Sequence, residues 1–143
     1  AAGAFVAADP VVIDWLVNKA RSYIFTTAAS PVIAATLAES VNLLAAGEAR
    51  RAHLFRLIAQ LRDGLAGTRW QLCDSPSAIQ PIIVGDNHEA LALAEALFAR
   101  GLWVPAIRPP TVPKGTARLR VTLSAAHSEA QVAQLVDALK ALQ

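Results

Sequence analysis

Two arginines and a threonine alternate along one predicted strand near the end of the chain. In Arg118–Leu123 (RLRVTL), Arg118, Arg120 and Thr122 share one face, and the aliphatic residues between them share the other. A guanidinium offers a planar fork of N–H donors that matches a carboxylate bidentately. The pattern is consistent with a carboxylate anchor, although spacing alone favours an ordinary solvated face of a sheet.

A proline-rich loop precedes this strand and carries two more candidate ligand-binding residues. Three prolines lie between Arg108 and Gly115, and each proline fixes φ and lowers the entropy of the unfolded loop. Arg108 and Thr111 can therefore be held in place for a ligand. A stiff connector between two strands explains the same composition equally well. The loop has neither the dinucleotide-binding nor the P-loop glycine pattern.

Thr26 and Thr27 end a predicted extended segment, Ser22–Thr27, just before a helix that begins at Ser30-Pro31. Hydroxyls and free backbone N–H groups at such a place can bind a phosphate. The alternative is that both threonines serve only as a cap or a turn, which is the more common role.

The remaining reactive residue types do not form a site by their spacing. The three histidines lie far apart and lack metal-ligand spacing, so no metal site is predicted. None of the lysines lies in a setting typical of a Schiff-base lysine, which needs a desolvated pocket. Cys73 is the single cysteine and permits no internal disulfide, which fits a reduced cytoplasm. Residues and spacing alone therefore predict an α/β domain, with a carboxylate site as one of two open interpretations of its arginines.

Periodicity and capping residues predict helices that alternate with strands. The apolar opening AAGAFVAADP (residues 1–10) is typical of an interrupted strand, and β-branched and aromatic residues predict extended structure over Ser22–Thr27. A capping box at Ser128-x-x-Gln131 predicts the start of the last helix. We expect antiparallel strand pairing, because the connections are short. The predicted helices are Pro10 to about Lys19, Pro31 to about Ala45, Glu48 to about Leu65, Asn87 to about Arg100, and the last helix; the other predicted strands are Thr68–Cys73, Ala78–Val84, Leu102–Ile107 and Arg118–Leu123.

Composition excludes several classes of function. The net charge of +2 comes from 13 basic and 11 acidic residues without a basic run interleaved with aromatics, so nucleic-acid binding is not expected. No stretch approaches the ~18 consecutive apolar residues of a membrane span, and the opening lacks the basic region of a signal peptide. From about residue 47 the pattern describes a compact α/β domain. Residues 1–46 do not close on themselves and resemble the tail of a larger domain.

Read together, four segments resemble the α-oxoamine synthases, a family of pyridoxal 5'-phosphate (PLP)-dependent enzymes, in order and in spacing. The resemblance covers essentially all 143 residues. It is greatest to the branch that joins L-alanine to a pimeloyl thioester in biotin biosynthesis, because of the IRPPTVP sequence at Ile107–Pro113. The segments are Ser22–Thr27 (SYIFTT) followed by Pro31, Ile79–Asp86 (IQPIIVGD), Gly101–Pro113 (GLWVPAIRPPTVP) and Arg118–His127 (RLRVTLSAAH).

The resemblance implies a fold-type I PLP-dependent transferase that works as a homodimer and loses CO2 as it condenses its substrates. Residues 1–46 would be the tail of the large PLP-binding domain, and residues 47–143 the C-terminal small α/β domain. By motif position, Arg120 resembles the arginine that holds the carboxylate of the amino acid, and Thr111 a substrate-contacting residue. Arg108 suits the distal carboxylate of the pimeloyl chain. Thr27, with Thr26, resembles the hydroxyl that reaches the PLP phosphate of the neighbouring subunit.

One family feature is missing from these residues. The Schiff-base lysine of the family lies a few residues before the glycine that matches Gly3, so we expect it upstream of this chain and expect no synthase activity from these residues alone. Two alternatives stay open. One is another α-oxoamine synthase that joins glycine to an acetyl or succinyl thioester, and the other is a free-standing carboxylate-binding α/β module without catalysis.

Overall fold

The computed structural model describes residues 4–143 and divides the chain into two compact units. The first unit extends to Glu48, and the second comprises Ala49–Gln143.

The first unit is helical. Its elements are α1 (Pro10–Lys19), α2 (Arg21–Ile24) and α3 (Pro31–Ala45), so the predicted helices at α1 and α3 are confirmed. Both begin with proline at the first helical position, where its missing N–H costs no hydrogen bond. Asp9 caps α1 by accepting a hydrogen bond from the backbone N–H of Val11 at 3.0 Å.

Two predicted extended segments of the first unit are wrong. Ser22–Thr27 contains most of α2, and residues 4–9 have no regular structure, while residues 1–3 of the predicted opening strand lie outside the described residues. A strand needs a neighbour to bond its backbone, and no strand is described in this unit. The helical turn instead satisfies its groups locally, with the N–H of Ile24 donating to Ala20 and that of Phe25 to Arg21.

The helices of the first unit bury none of their residues. Several large apolar side chains are therefore exposed, among them Phe5, Trp15, Tyr23, Phe25 and Val32. Exposed apolar surface of this extent is typical of a surface that is covered by other protein.

The second unit is a four-stranded antiparallel sheet with helices packed on one face. Every strand pairing is antiparallel, as expected from the short connections, and the strand order is β1-β2-β4-β3. The elements follow the chain in the order α4 (Glu48–Leu65), β1 (Gln71–Leu72), β2 (Ile79–Gly85), α5 (Asn87–Phe98), β3 (Ala106–Ile107), β4 (Ala117–Thr122) and α6 (Glu129–Lys140).

The helix ends of this unit are set by local capping residues and a glycine. Asp86 caps α5 by accepting from the N–H of Glu89 at 2.9 Å. Ser128 and Gln131 form the predicted capping box of α6. Gly67 has a φ of 74° after the end of α4, a left-handed conformation that favours glycine.

The core lies between the helices and the inner face of the sheet. Leu119, Val121 and Leu123 are all buried, which confirms the predicted inner face of β4. They belong to one cluster with Ile82 of β2 and the apolar stripes of the helices. Trp70 joins this cluster, and its indole N–H donates to the backbone carbonyl of Leu139 at 3.0 Å. The helical members are Leu57, Ile58, Leu61 and Leu65 of α4, Leu93 and Leu97 of α5, and Val132, Leu135, Val136, Ala138 and Leu139 of α6.

Two strands are shorter than predicted. Of Thr68–Cys73 only Gln71–Leu72 form β1, although the N–H of Cys73 still donates to Pro81 of β2. The predicted strand starts later because Thr68 closes a turn onto Leu65. Of Leu102–Ile107 only Ala106–Ile107 form β3; Pro105 before it accepts a hydrogen bond from Arg120 but has no N–H to donate to a ladder. Both strands lie at the edges of the sheet.

Among residues 4–143, no single helix is long and apolar enough to cross a membrane. Taken together, α3 and α4 reach the length and composition of a span by those two measures alone. In α4, however, the apolar side chains Leu57, Ile58, Leu61 and Leu65 are buried in the core of the second unit.

Candidate functional site

The second unit leaves one face of its sheet open, and the predicted arginines lie on it. The open sheet face is defined here by three cross-strand pairs of β2 and β4, Ile79 with Thr122, Pro81 with Arg120, and Ile83 with Arg118. None of these six side chains is buried. The strict alternation of β4 therefore places charged groups on a rigid element, opposite aliphatic and proline side chains of β2.

Arg120 lies in the middle of this face with an exposed side chain. Its backbone N–H donates to the carbonyl of Pro105 at 2.9 Å, which fixes the strand on both sides. Within the part of the chain that the structure describes, its guanidinium has no hydrogen bond and no ion pair. The full fork of donors is available to an anion, and a carboxylate matches it best.

Arg118 is two residues away on the same face but differs in its environment. Its Nε donates to the carbonyl oxygen of Thr116 at 3.0 Å, and its Nη2 donates to the Thr116 hydroxyl at 3.1 Å. The spacing of the sequence left the two arginines equivalent as carboxylate anchors. The structure separates them, because only the guanidinium of Arg120 is without a partner among the described residues.

The proline-rich loop begins where β3 ends. Arg108 and Thr111 both have exposed side chains, and the N–H of Thr111 donates to the carbonyl of Arg108 at 3.1 Å. Residues 106–111 line a shallow depression of about 290 Å³. The two predicted loop residues are thus brought together at one small concave surface.

The sheet sets the spacing between this loop and Arg120. Pro105 lies beside Arg120 in the edge pairing, and Arg108 follows Pro105 by three residues. At about 3.3 Å per residue, the backbone of Arg108 is displaced by roughly 10 Å along the strand direction. Two arginines whose backbones lie this far apart can bind two separated carboxylates, on one ligand or on two.

Thr26 and Thr27 belong to the first unit and follow α2. Both are exposed, and neither hydroxyl has a hydrogen bond within residues 4–143. Ser30, at the start of α3, makes no side-chain cap. Free hydroxyls close to a helix N-terminus are the donors that a phosphate monoester accepts, so these residues fit the predicted phosphate-contacting role of a PLP site.

Other reactive side chains do not add a catalytic group. Lys19, Lys114 and Lys140 are all exposed, whereas a lysine that reacts as an amine needs a desolvated pocket. Among the described residues, no three His, Cys, Asp or Glu side chains cluster as metal ligands. His53 is half-buried and donates its Nε2 proton to the carbonyl of His127 at 2.9 Å, which links α4 to the turn before α6.

Sequence reasoning missed Thr116. It is half-buried, it receives the bonds of Arg118, and its hydroxyl donates to the carbonyl of Pro113 at 2.8 Å. The only signal in the sequence is its place between the turn glycine Gly115 and β4, which does not indicate a hydrogen-bonding partner.

The family model of the aminotransferases of class I and II matches residues 1–139. Among curated relatives, the 8-amino-7-oxononanoate synthase of Herminiimonas arsenicoxydans is 63% identical over 99% of this chain and 37% of its own length. That of Dechloromonas aromatica is 63% identical over 98% of this chain and 36% of its own length. The chain therefore spans a little over one third of the relatives it matches.

Solved structures of the same kind superpose on the chain. Serine palmitoyltransferase from Sphingomonas wittichii matches 96% of this chain and 35% of its own, with a TM-score of 0.84 and 34% identity. The 8-amino-7-oxononanoate synthase of Francisella tularensis matches 92% of this chain and 38% of its own, with a TM-score of 0.80 and 25% identity. These matches confirm the fold of a fold-type I PLP-dependent transferase and the resemblance to the α-oxoamine synthases. The chain belongs to the aminotransferase class I and II family.

Proposed function

We propose that this chain is the C-terminal third of an 8-amino-7-oxononanoate synthase, a PLP-dependent acyltransferase that condenses L-alanine with a pimeloyl thioester and releases CO2. The observation that carries the proposal is the unpartnered, exposed guanidinium of Arg120 on the open sheet face, beside a loop that offers a second free arginine, Arg108. The identity of about 63% to synthases of this name supports the same substrates.

Arg120 holds the carboxylate of L-alanine in this proposal. The carboxylate that leaves as CO2 must be oriented, and a bidentate guanidinium fixes both its oxygens in one plane. Because β4 is paired on both sides at this point, the backbone of Arg120 keeps its position without help from the ligand. Such preorganisation reduces the entropy that the enzyme would otherwise lose on binding.

Arg108 and Thr111 bind the acyl donor. Pimeloyl has a carboxylate at the end of its chain, and a guanidinium discriminates strongly for such a group. An acetyl or palmitoyl chain has no charge at that end and leaves Arg108 without a partner. Thr111 contributes a hydroxyl at the same depression.

PLP, when bound, acts as the electron sink for the carbanion of the amino acid. In this proposal the enzyme is a homodimer. The hydroxyl of Thr27, together with that of Thr26, would donate a hydrogen bond to the phosphate of the PLP that the neighbouring subunit holds. Residues 1–46 belong to the large PLP-binding domain in this proposal, and residues 47–143 form the small domain. The exposed lysines provide no attachment for the cofactor, so we expect the 143 residues alone to be inactive. The complete enzyme acts in the cytoplasm in this proposal.

A second candidate is another α-oxoamine synthase, which the 34% identity to the Sphingomonas serine palmitoyltransferase favours. Glycine with an acetyl or succinyl thioester belongs to the same class of alternatives. These candidates differ from the main proposal in the amino acid as well as in the acyl donor. Only the succinyl donor shares a terminal carboxylate with pimeloyl, on a shorter chain.

A chimera tests the proposal. The 143 residues replace the matching segment of the Herminiimonas arsenicoxydans relative, and the purified protein is assayed with matched pairs of amino acid and thioester. We expect decarboxylative condensation of L-alanine with pimeloyl-CoA at a kcat/KM at least about tenfold above that of any other pair. A preference for glycine or serine with another thioester would refute the proposed substrates. A correctly folded chimera without turnover would favour the carboxylate-binding module.

A further inference from the structure

Arg118 lies on the open sheet face beside Arg120, but its guanidinium is hydrogen-bonded to Thr116 of the preceding loop. Its Nε and Nη2 donate to the backbone oxygen and the hydroxyl of Thr116 at 3.0 and 3.1 Å. Both donors come from one planar group, so the pair is bidentate and its geometry is fixed. Arg118 is half-buried, and this binding mode withdraws two of its donors from any ligand.

Thr116 passes this constraint on to the proline-rich loop. Its hydroxyl donates to the carbonyl of Pro113 at 2.8 Å, and its N–H donates to the same carbonyl at 3.2 Å. A hydroxyl has one proton and two lone pairs. Because that proton is used for Pro113, a lone pair is left for Arg118, and the two hydrogen bonds determine each other's direction.

Arg118 thereby fixes the loop at both of its ends. At the start of the loop, Ile107 of β3 is paired with Arg118 in the sheet. At the end, the side chain of Arg118 bonds Thr116, and the hydroxyl of Thr116 in turn bonds the carbonyl of Pro113. Between these points lie Arg108 and Thr111, whose side chains are exposed and have no hydrogen bond within the described residues.

We propose that Arg118 and Thr116 are positioning residues that hold Arg108 and Thr111 in place for the distal carboxylate of the acyl donor. This inference rests on the proposed function for the identity of that ligand. We name the pair the Arg118–Thr116 clamp. Arg120 does not depend on it, since its position is set by the pairing of β4. The clamp therefore acts on the affinity for the acyl donor and leaves the amino-acid site unchanged.

The first test uses the active chimera with Thr116→Val, which keeps the shape of the side chain and removes the hydroxyl. Loss of two linked hydrogen bonds is expected to raise KM for pimeloyl-CoA about five- to thirtyfold. KM for L-alanine and kcat should stay within about twofold. Thr116→Ser, which keeps the hydroxyl, should restore the native KM.

Thr68→Val is the matched control. The Thr68 hydroxyl also donates and accepts, to Leu65 at 2.6 Å and from the N–H of Trp70 at 3.3 Å, but it lies at the end of α4 and not in the loop. It should lower stability without changing either KM. Equal KM values for pimeloyl-CoA in Thr116→Val and native chimera overturn the clamp, as does a parallel loss in both substrates.

The second test is independent of catalysis and uses the 143-residue chain. Hydrogen exchange at the Thr111 amide, which is bonded to Arg108, reports the order of the loop. We expect about tenfold faster exchange in Thr116→Val, and native exchange in Thr116→Ser and Thr68→Val. Unchanged exchange overturns the clamp. If the chimera shows no synthase activity but exchange responds as expected, the proposed function fails and the positioning of the loop stands.

Discussion

The side chain of Arg62 on α4 donates to the side-chain carbonyl of Gln80 on β2 at 2.9 Å. Gln80 is fully buried, and it is the one buried polar side chain among the described residues. Its amide nitrogen donates to the backbone carbonyls of Ser75 and Ser77 at 3.0 and 2.6 Å. The same nitrogen of Arg62 also reaches the carbonyl of Cys73 at 3.2 Å. These bonds join α4, β2 and the intervening loop, and they satisfy a group that would be costly to bury alone.

Replacing Arg62 with methionine should therefore destabilise the second unit. The substitution keeps an unbranched side chain but leaves the buried carbonyl of Gln80 without its donor, which costs about 1–3 kcal/mol. Urea unfolding followed by circular dichroism measures the loss. Arg50→Met on the exposed part of the same helix is the control and should change the free energy of unfolding by less than about 0.5 kcal/mol. Equal effects of both variants would contradict this account.

Gly64 on α4 should resist substitution, although it lies within a helix. A Cβ built on Gly64 would lie 2.9 Å from both methyl groups of Val136 on α6. The usual gain of about 1 kcal/mol from replacing a helical glycine with alanine is thus opposed by overpacking of about 1–3 kcal/mol. We expect Gly64→Ala to be neutral to destabilising in thermal unfolding.

A double-mutant cycle tests whether Val136 is the cause. Val136→Ala removes both methyl groups, so adding Gly64→Ala to that background should be stabilising or neutral. A Gly64→Ala effect that is the same in both backgrounds would show that Val136 is not responsible.

Arg120 should be required for the amino-acid substrate. Arg120→Ala in the chimera removes the fork of donors, and kcat/KM for L-alanine should fall about 100-fold or more. Arg120→Lys keeps the charge without the bidentate geometry and should give an intermediate loss. Steady-state kinetics with saturating pimeloyl-CoA measure both, with Arg50→Ala as the control. A rise of KM for pimeloyl-CoA alone would assign Arg120 to the other substrate.

The cap of α5 predicts a pH dependence at its N-terminus. The hydrogen bond from the N–H of Glu89 lowers the pKa of Asp86 below its usual value of 3.8, while desolvation opposes the shift. A depressed pKa in the folded state means that the stabilisation is present above 3.8 and is lost as the pH falls through the folded-state pKa. Asp86→Ala should therefore lower the unfolding temperature at neutral pH, and its difference from the native chain should shrink in acid.

Thermal unfolding at about pH 7 and about pH 2 measures this difference. Asp86→Asn, a good cap without a charge, is the control and should show little change with pH relative to Asp86→Ala. A difference between Asp86→Ala and the native chain that stays constant down to the lowest pH would exclude the carboxylate as its source.

Much of the local structure could be read from the sequence. The proline starts of α1 and α3, the apolar stripe of α4, the capping box at Ser128 and the alternation of β4 are all encoded within a few residues, because caps and periodicity depend on neighbours in the chain. The extended segment at Ser22–Thr27 was predicted wrongly for the opposite reason. A strand exists only with a partner, and β-propensity does not supply one.

The sequence by itself determined the family, the candidate residues Arg108, Thr111, Arg120, Thr26 and Thr27, and which face of β4 is buried. Their roles toward substrate and cofactor stay predictions. Arg118 and Arg120 stand at equivalent places in the alternation of β4, and the family resemblance alone singled out Arg120. Only the tertiary structure showed that the guanidinium of Arg118 is bonded to Thr116 while that of Arg120 has no partner among the described residues. Thr116, just before β4, accepts two hydrogen bonds from the guanidinium of Arg118. The neighbours of Arg120 across the sheet are Pro81 and Pro105, and neither gives its guanidinium a partner. Such distinctions depend on distances across strands and turns, and these are fixed only when the sheet is assembled.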